Sequence, residues 1–265
     1  MGSLQPHLEA ALDSARHWVS SGSWSDPPVD IRELAHRMGI VSIKPQVMKT
    51  TGSLVADEQG RLFINCREGD PERRKRFTIA HELGHLLIAR SQGEDVVEYH
   101  RGKGHVCEEE RAANQIAAEL LMPEDVIRRK LRRHMKSGWY PSWRFLVSLS
   151  DFFDVSLSAI AFRLLEIRCA YTVLLRIAAS SETGHDDLLF QDRRSRQGGI
   201  AYKNPPRDEA MRILKEADKS RFHEIPVITR AGYGQLKCES RLRQFQTPRG
   251  TLHQYWVIGW FFCNA

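Results

Sequence analysis

His81 and His85 stand four residues apart in the run Phe77-Thr78-Ile79-Ala80-His81-Glu82-Leu83-Gly84-His85-Leu86-Leu87-Ile88, a segment made mostly of apolar side chains. At 3.6 residues per turn the two imidazoles project from one helix face, and each can offer a ring nitrogen to a shared Zn²⁺. Glu82, one position along, sets a carboxylate beside water at that ion. The chemistry these residue types support is metal-assisted hydrolysis. The setting argues against a chance match, because two imidazoles and a carboxylate are costly to bury in an apolar helix without partners or a metal.

A hydrolytic zinc takes three protein ligands and keeps one position open. A third histidine six residues after His85, as one class of zinc proteases uses, is excluded because that position is Ser91. The segment Cys107-Glu108-Glu109-Glu110-Arg111-Ala112-Ala113-Asn114-Gln115-Ile116-Ala117-Ala118-Glu119-Leu120-Leu121-Met122-Pro123 reads as a second helix, rich in carboxylates and ended by proline. Glu110 is the first choice for the third ligand. It lies four residues before Asn114 on the same face, and Asn114 can accept a hydrogen bond from the second nitrogen of a ligand histidine. Glu119 is the main rival, while Glu108 and Glu109 read as a solvated acidic cluster at the helix start. His100 and His105, between the two helices, are within reach of a metal or substrate but fit a loop role better.

The two segments together resemble the ImmA/IrrE family of metallopeptidases. The resemblance rests on Arg76-Phe77-Thr78-Ile79-Ala80-His81-Glu82-Leu83-Gly84-His85 and on Glu110-x-x-Ala113-Asn114-x-x-Ala117-Ala118-Glu119-Leu120-Leu121-Met122-Pro123. It implies that His81, His85 and Glu110 bind the metal and that Glu82 acts on the water. The metal implied is Zn²⁺, with Mn²⁺ or another divalent ion as the alternative. The substrate implied is a helix-turn-helix repressor of the XRE type, cut at one site to derepress stress-response, DNA-damage or mobile-element genes. Ala112, where the family often has Glu, and Ile116, where it often has an aromatic, depart from the pattern without removing a proposed ligand.

Composition bounds the rest. A chain of 265 residues with 42% hydrophobic residues can bury a real core, and its length suggests two domains or one core domain with an appendage. No apolar run reaches membrane-spanning length and the N-terminus lacks a signal-peptide pattern, so a cytoplasmic protein without a membrane partner is expected. Five cysteines without paired spacing fit reduced thiols. The net charge of +6, with the basic clusters Arg128-Arg129-Lys130-Leu131-Arg132-Arg133 and Arg193-Arg194-Ser195-Arg196, leaves DNA as a weakly supported partner.

The elements that must position the site follow from turn signals and apolar period. Residues 4–22 read as an amphipathic helix, and Asp30 caps a short helix that stops at Gly39. Residues 40–47 read as a strand, and residues 52–56 and 61–66 flank Asp57-Glu58-Gln59-Gly60 as a hairpin before the zinc helix. This small sheet offers an edge on which an extended peptide can be held by main-chain hydrogen bonds, with Ser53, Leu54 and Val55 as the candidate edge residues. Three further helices are expected over 124–136, 142–153 and 156–167. The last two resemble a helix-turn-helix, yet the second offers only Arg163 and Ser158 as exposed groups for reading bases, so a packing role fits better.

Beyond residue 170 the chain changes character. Strands are expected at 171–177, 225–228 and 255–262, with a helix over 207–220 capped by Asp208. The expected fold class is therefore α+β: a zincin-like peptidase domain over 1–123, a helical, helix-turn-helix-like segment over 124–169, and a mixed α/β domain over 170–265. The position of the last matches the GAF-like module that the radiation-response branch of the family carries, and no motif in it names a small-molecule ligand. Two other function classes remain. One is a DNA-binding regulator with a structural metal site, and the other is an interaction module whose C-terminal domain senses a small molecule or a partner.

Overall fold

The computed structural model describes residues 4–21, 27–94, 107–136 and 143–167, together with the strands of the C-terminal part. The chain forms two compact units: Met1–Arg132 with Val147–Ile160, and Arg133–Leu146 with Ala161–Ala265. In the first unit α1 (Leu4–Ser21) and α2 (Ile31–Arg37) precede three strands, β1 (Ile40–Gln46), β2 (Gly52–Ala56) and β3 (Leu62–Arg67). The long helix α3 (Glu72–Gln92) and then α4 (Cys107–Leu121) follow. Residues of α5 (Glu124–Lys136), α6 (Trp143–Phe153) and α7 (Leu157–Glu166) belong partly to each unit. Among the described residues no single helix is long and apolar enough to cross a membrane.

Local chemistry sets these boundaries. The Asp30 carboxylate accepts the N–H groups of Arg32 and Glu33, which caps α2, and Gly39 at φ +93° turns the chain into β1. The hairpin between β2 and β3 closes through Asp57, whose Oδ1 accepts the N–H groups of Gln59 and Arg61. The strand order is β1-β3-β2, with β3 parallel to β1 and antiparallel to β2. Thus β2 lies at an edge of the sheet.

Helix α3 is the centre of this unit. Its residues from Thr78 to Ile88 are buried on nearly every side apart from His81, because α1, α4 and the β2 and β3 strands all pack on it. The apolar side chains of Ile79, Leu83, Leu86 and Ile88 meet a core that also contains Leu34, Leu54, Ile64, Ile116 and Leu120. The basic start of the helix, which sequence alone leaves as a charged lead-in, is anchored by long-range pairs. Arg73 donates to Asp154 and Asp151 at 3.0 Å each, and Arg76 lies 3.2 Å from Asp154 while donating to the Val29 carbonyl at 3.0 Å. Asp154 occupies the turn between α6 and α7 at φ +50°, a conformation that aspartate tolerates better than most residues.

The second unit contains a five-stranded sheet, β4 (Tyr171–Ser180), β5 (Leu189–Arg193), β6 (Phe222–Thr229), β7 (Gly232–Thr247) and β8 (Gly250–Phe261), in the order β5-β4-β8-β7-β6. Every pairing in it is antiparallel. Two of these strands, β5 and β7, are absent from the sequence reading. The expected helix over 207–220, and His100 and His105, lie outside the described residues.

The turn at Asp154 yields a stability test. Asp154→Ala removes the shared partner of two arginines and adds left-handed strain, and a cost of about 2–4 kcal/mol in urea unfolding is expected. Asp154→Asn keeps an acceptor and tolerates the backbone, so it should cost about half as much; equal losses would contradict this account of the turn.

Candidate metal centre

The site is built where α3 crosses α4. A Cβ placed on Gly84 would lie 2.7 Å from the Ala113 carbonyl oxygen and 3.0 Å from its Cα. Only glycine lets the two helix backbones come this close. The ligand candidates sit at matching offsets from this contact, with His81 and His85 three before and one after Gly84, and Glu110 and Asn114 three before and one after Ala113. The helices run in opposite senses here, since His81 meets Asn114 while His85 meets Glu109.

Three donor groups converge. His81 Nε2 and His85 Nε2 are 3.1 Å apart, and the Glu110 carboxylate lies 3.3 Å from the first and 3.4 Å from the second. Ligand atoms bound about 2.0–2.1 Å from a tetrahedral ion are separated by about 3.3 Å, close to the 3.1 Å between the two Nε2 atoms, while Glu110 faces His81 with Oε2 and His85 with Oε1, so that its carboxylate spans the pair. The donor set, two imidazoles and a carboxylate, is also one that suits a hydrolytic zinc. These residues therefore fit a divalent ion.

The groups behind the imidazoles differ. His81 Nδ1 lies 3.1 Å from Asn114 Oδ1, an arrangement that leaves Nε2 to face the shared point. His85 Nδ1 lies 3.4 Å from Glu109 Oε1. Glu109 thus departs from the solvated cluster in which sequence placed it: its side chain is 13% exposed, whereas Glu108 does face solvent. The signal was present, because Glu109 lies one residue before Glu110 and so on an adjoining helix face. What sequence lacked was the partner across the helix crossing. Glu119, the rival ligand, is placed elsewhere: its carboxylate accepts the Glu124 N–H at 3.3 Å and lies 3.8 Å from Arg16.

Glu82 is 6% exposed and sits under the edge of β2. Burial pushes its carboxyl up to about 7, the negative charge of Glu110 adds to the rise, and the Leu54 N–H bonded to it acts in the opposite sense. A Cβ on Gly52 would meet Glu82 Oε1 at 2.9 Å and Thr78 Cγ2 at 2.3 Å, so glycine at that position lets β2 lie against the carboxylate. Of the three edge candidates, Leu54 has its backbone at Glu82 and its side chain in the core. Val55 is 40% exposed, and Ser53 Oγ accepts from Asn65 Nδ2 at 3.3 Å. A buried carboxyl raised to about 7, on the helix that carries both imidazoles and within the field of Glu110, is suited to exchanging protons with water.

Residues 35–165 match the IrrE N-terminal-like domain of the peptidase families. The match spans both helices of the site and the sheet before them. No curated protein matches the chain. A solved structure of a "Mycobacterium tuberculosis transcriptional regulator" is similar in fold, with a TM-score of 0.55 and 14% sequence identity, covering 94% of this chain and 87% of that one.

The geometry gives a direct metal test. Purified chain should hold about one zinc, and alanine at His81, His85 or Glu110 should lower that content, while Glu119→Ala should keep it. Gly84→Ala forces the helices apart, so it should cost about 1–3 kcal/mol and weaken metal binding as well. Full metal content in Gly84→Ala would show that the close crossing does not set the site.

Proposed function

We propose that the chain is a zinc-dependent endopeptidase that cuts a helix-turn-helix repressor at one site and so derepresses the genes it controls. The single observation that carries the reading is the convergence of His81 Nε2, His85 Nε2 and the Glu110 carboxylate, with the buried carboxyl of Glu82 on the same helix. The match over residues 35–165 supports the family assignment, and with it the metallopeptidase class. A cytoplasmic location goes with a repressor substrate.

When bound, the ion supplies Lewis acidity toward the scissile carbonyl and lowers the pKa of water beside it. His81, His85 and Glu110 hold it. Glu82 takes a proton from the attacking water as the new C–O bond forms, and passes it to the amide nitrogen as the C–N bond breaks, giving a carboxylate and an amine. Its raised pKa suits both halves of that transfer. The edge of β2 at Ser53, Leu54 and Val55, where the Leu54 N–H is already held by Glu82, takes the substrate as an extended segment laid along it, so recognition requires a locally unfolded peptide. A regulatory role for the C-terminal unit, of GAF-like kind, goes with this reading and rests on its strand-rich make-up.

A second reading, a DNA-binding regulator with a structural metal, draws on the fold likeness to the mycobacterial transcriptional regulator and on the basic run of α5. The described residues give it less. Arg163, which sequence places on the exposed face of α7, has a side chain only 4% exposed and pairs with Glu166 at 3.1 Å. Arg128 and Arg129 pair with Glu124 and Asp125 along α5. A closed structural site also has no use for Glu82.

Glu82→Gln separates the readings. The variant should fold and keep its metal while cleavage falls by about 10²–10⁴-fold or more, with products located as new termini by mass spectrometry on a helix-turn-helix repressor encoded beside the gene. Cleavage by that variant at near wild-type rate would remove Glu82 from the chemistry, and a metal-loaded chain that cuts no repressor while binding DNA would favour the second reading.

A further inference from the structure

The contact between Glu109 and His85 goes beyond the three donors and Glu82, though it rests on the metal-centre reading. Glu109 Oε1 lies 3.4 Å from His85 Nδ1, and the two side chains are 13% and 6% exposed. That separation is long for a closed hydrogen bond and short enough for the carboxylate to act on the ring as a charge. Burying a carboxylate costs desolvation that an exposed site at the helix start avoids, as the solvent-facing Glu108 one residue earlier shows. Attraction to the positive end of α4 therefore accounts for an acid in this turn but not for its burial.

The arrangement on the other imidazole supplies the comparison. His81 Nδ1 is backed by a neutral amide, Asn114, and His85 Nδ1 by a carboxylate, both contributed by α4. Glu110 reaches between them to the two Nε2 atoms. We propose that Glu109 is a positioning residue: its carboxylate faces the Nδ1 edge of His85, favours the tautomer protonated there and so leaves the Nε2 lone pair toward Glu110 and His81, and by its charge makes His85 the stronger imidazole donor of the pair. An acceptor alone would fix the tautomer, and the charge adds basicity.

The test uses the full chain stripped of metal and titrated with zinc against a chromophoric chelator. Glu109→Ala should bind zinc about 10–100-fold more weakly than wild type, Glu109→Gln should fall between them because it keeps an acceptor without the charge, and Glu108→Ala should match wild type. Thermal unfolding distinguishes positioning from packing. For positioning, the metal-free midpoint of Glu109→Ala stays at the wild-type value and only the rise produced by zinc shrinks. Zinc affinity within about twofold of wild type in Glu109→Ala overturns the proposal, as does a metal-free midpoint that drops by as much as the zinc-loaded one. Wild-type chain that takes up no zinc overturns the metal centre itself, a failure that the wild-type titration identifies separately.

Discussion

The close crossing of α3 and α4 at Gly84 and Ala113 is the constraint on which the site depends. One extra methyl group at Gly84 would collide with the Ala113 carbonyl, and the resulting separation would be felt at every donor. Around this point each helix presents a polar pair at offsets of minus three and plus one, which is the spacing that keeps side chains on one face. Because the helices run in opposite senses, the early position of one helix meets the late position of the other. That places Asn114 behind His81 and Glu110 between the two imidazoles, so that all the candidate ligands come from these two helices.

The cost of the arrangement is electrostatic. Glu109 and Glu110 bring carboxyl groups to the imidazoles, Glu82 lies near enough to Glu110 to feel its charge, and the side chains of Glu82 and Glu109 are mostly out of water. Loss of solvent, with the negative charge of Glu110 adding to it, pushes the Glu82 carboxyl up to about 7. A divalent ion at the three donors opposes the Glu110 contribution by its own charge. The surrounding structure holds the crossing in place: β2 lies on Glu82 through Gly52, Arg73 and Arg76 tie the start of α3 to the turn at Asp154, and Arg90 near its other end donates to the Met38 carbonyl at 2.9 Å.

Much of this was legible in the chain itself. The four-residue spacing of His81 and His85, the offset of Glu110 from Asn114, the Asp30 cap and the turn residues at Asp57 and Gly60 are local signals whose physics acts within a few residues. What sequence could not give were pairings across the fold. The burial of Glu109 depends on where His85 lies, the partners of Arg73 and Arg76 are about eighty residues away, and Arg163 reads as exposed until Glu166 is seen beside it. Strand β7 escaped for a different reason: Gly232, Gly234, Lys237, Arg241 and Arg243 dilute its apolar alternation, and its hydrogen bonds to β6 and β8 decide its conformation.

X-ray absorption at the zinc edge of the loaded full-length chain tests most directly the claim that this helix crossing builds one metal centre. The account requires nitrogen and oxygen ligands only, at about 2.0–2.1 Å, with scattering from two imidazoles and four-coordinate geometry. A sulfur ligand at about 2.3 Å, or a six-coordinate oxygen shell without imidazole, would place the ion elsewhere and contradict it.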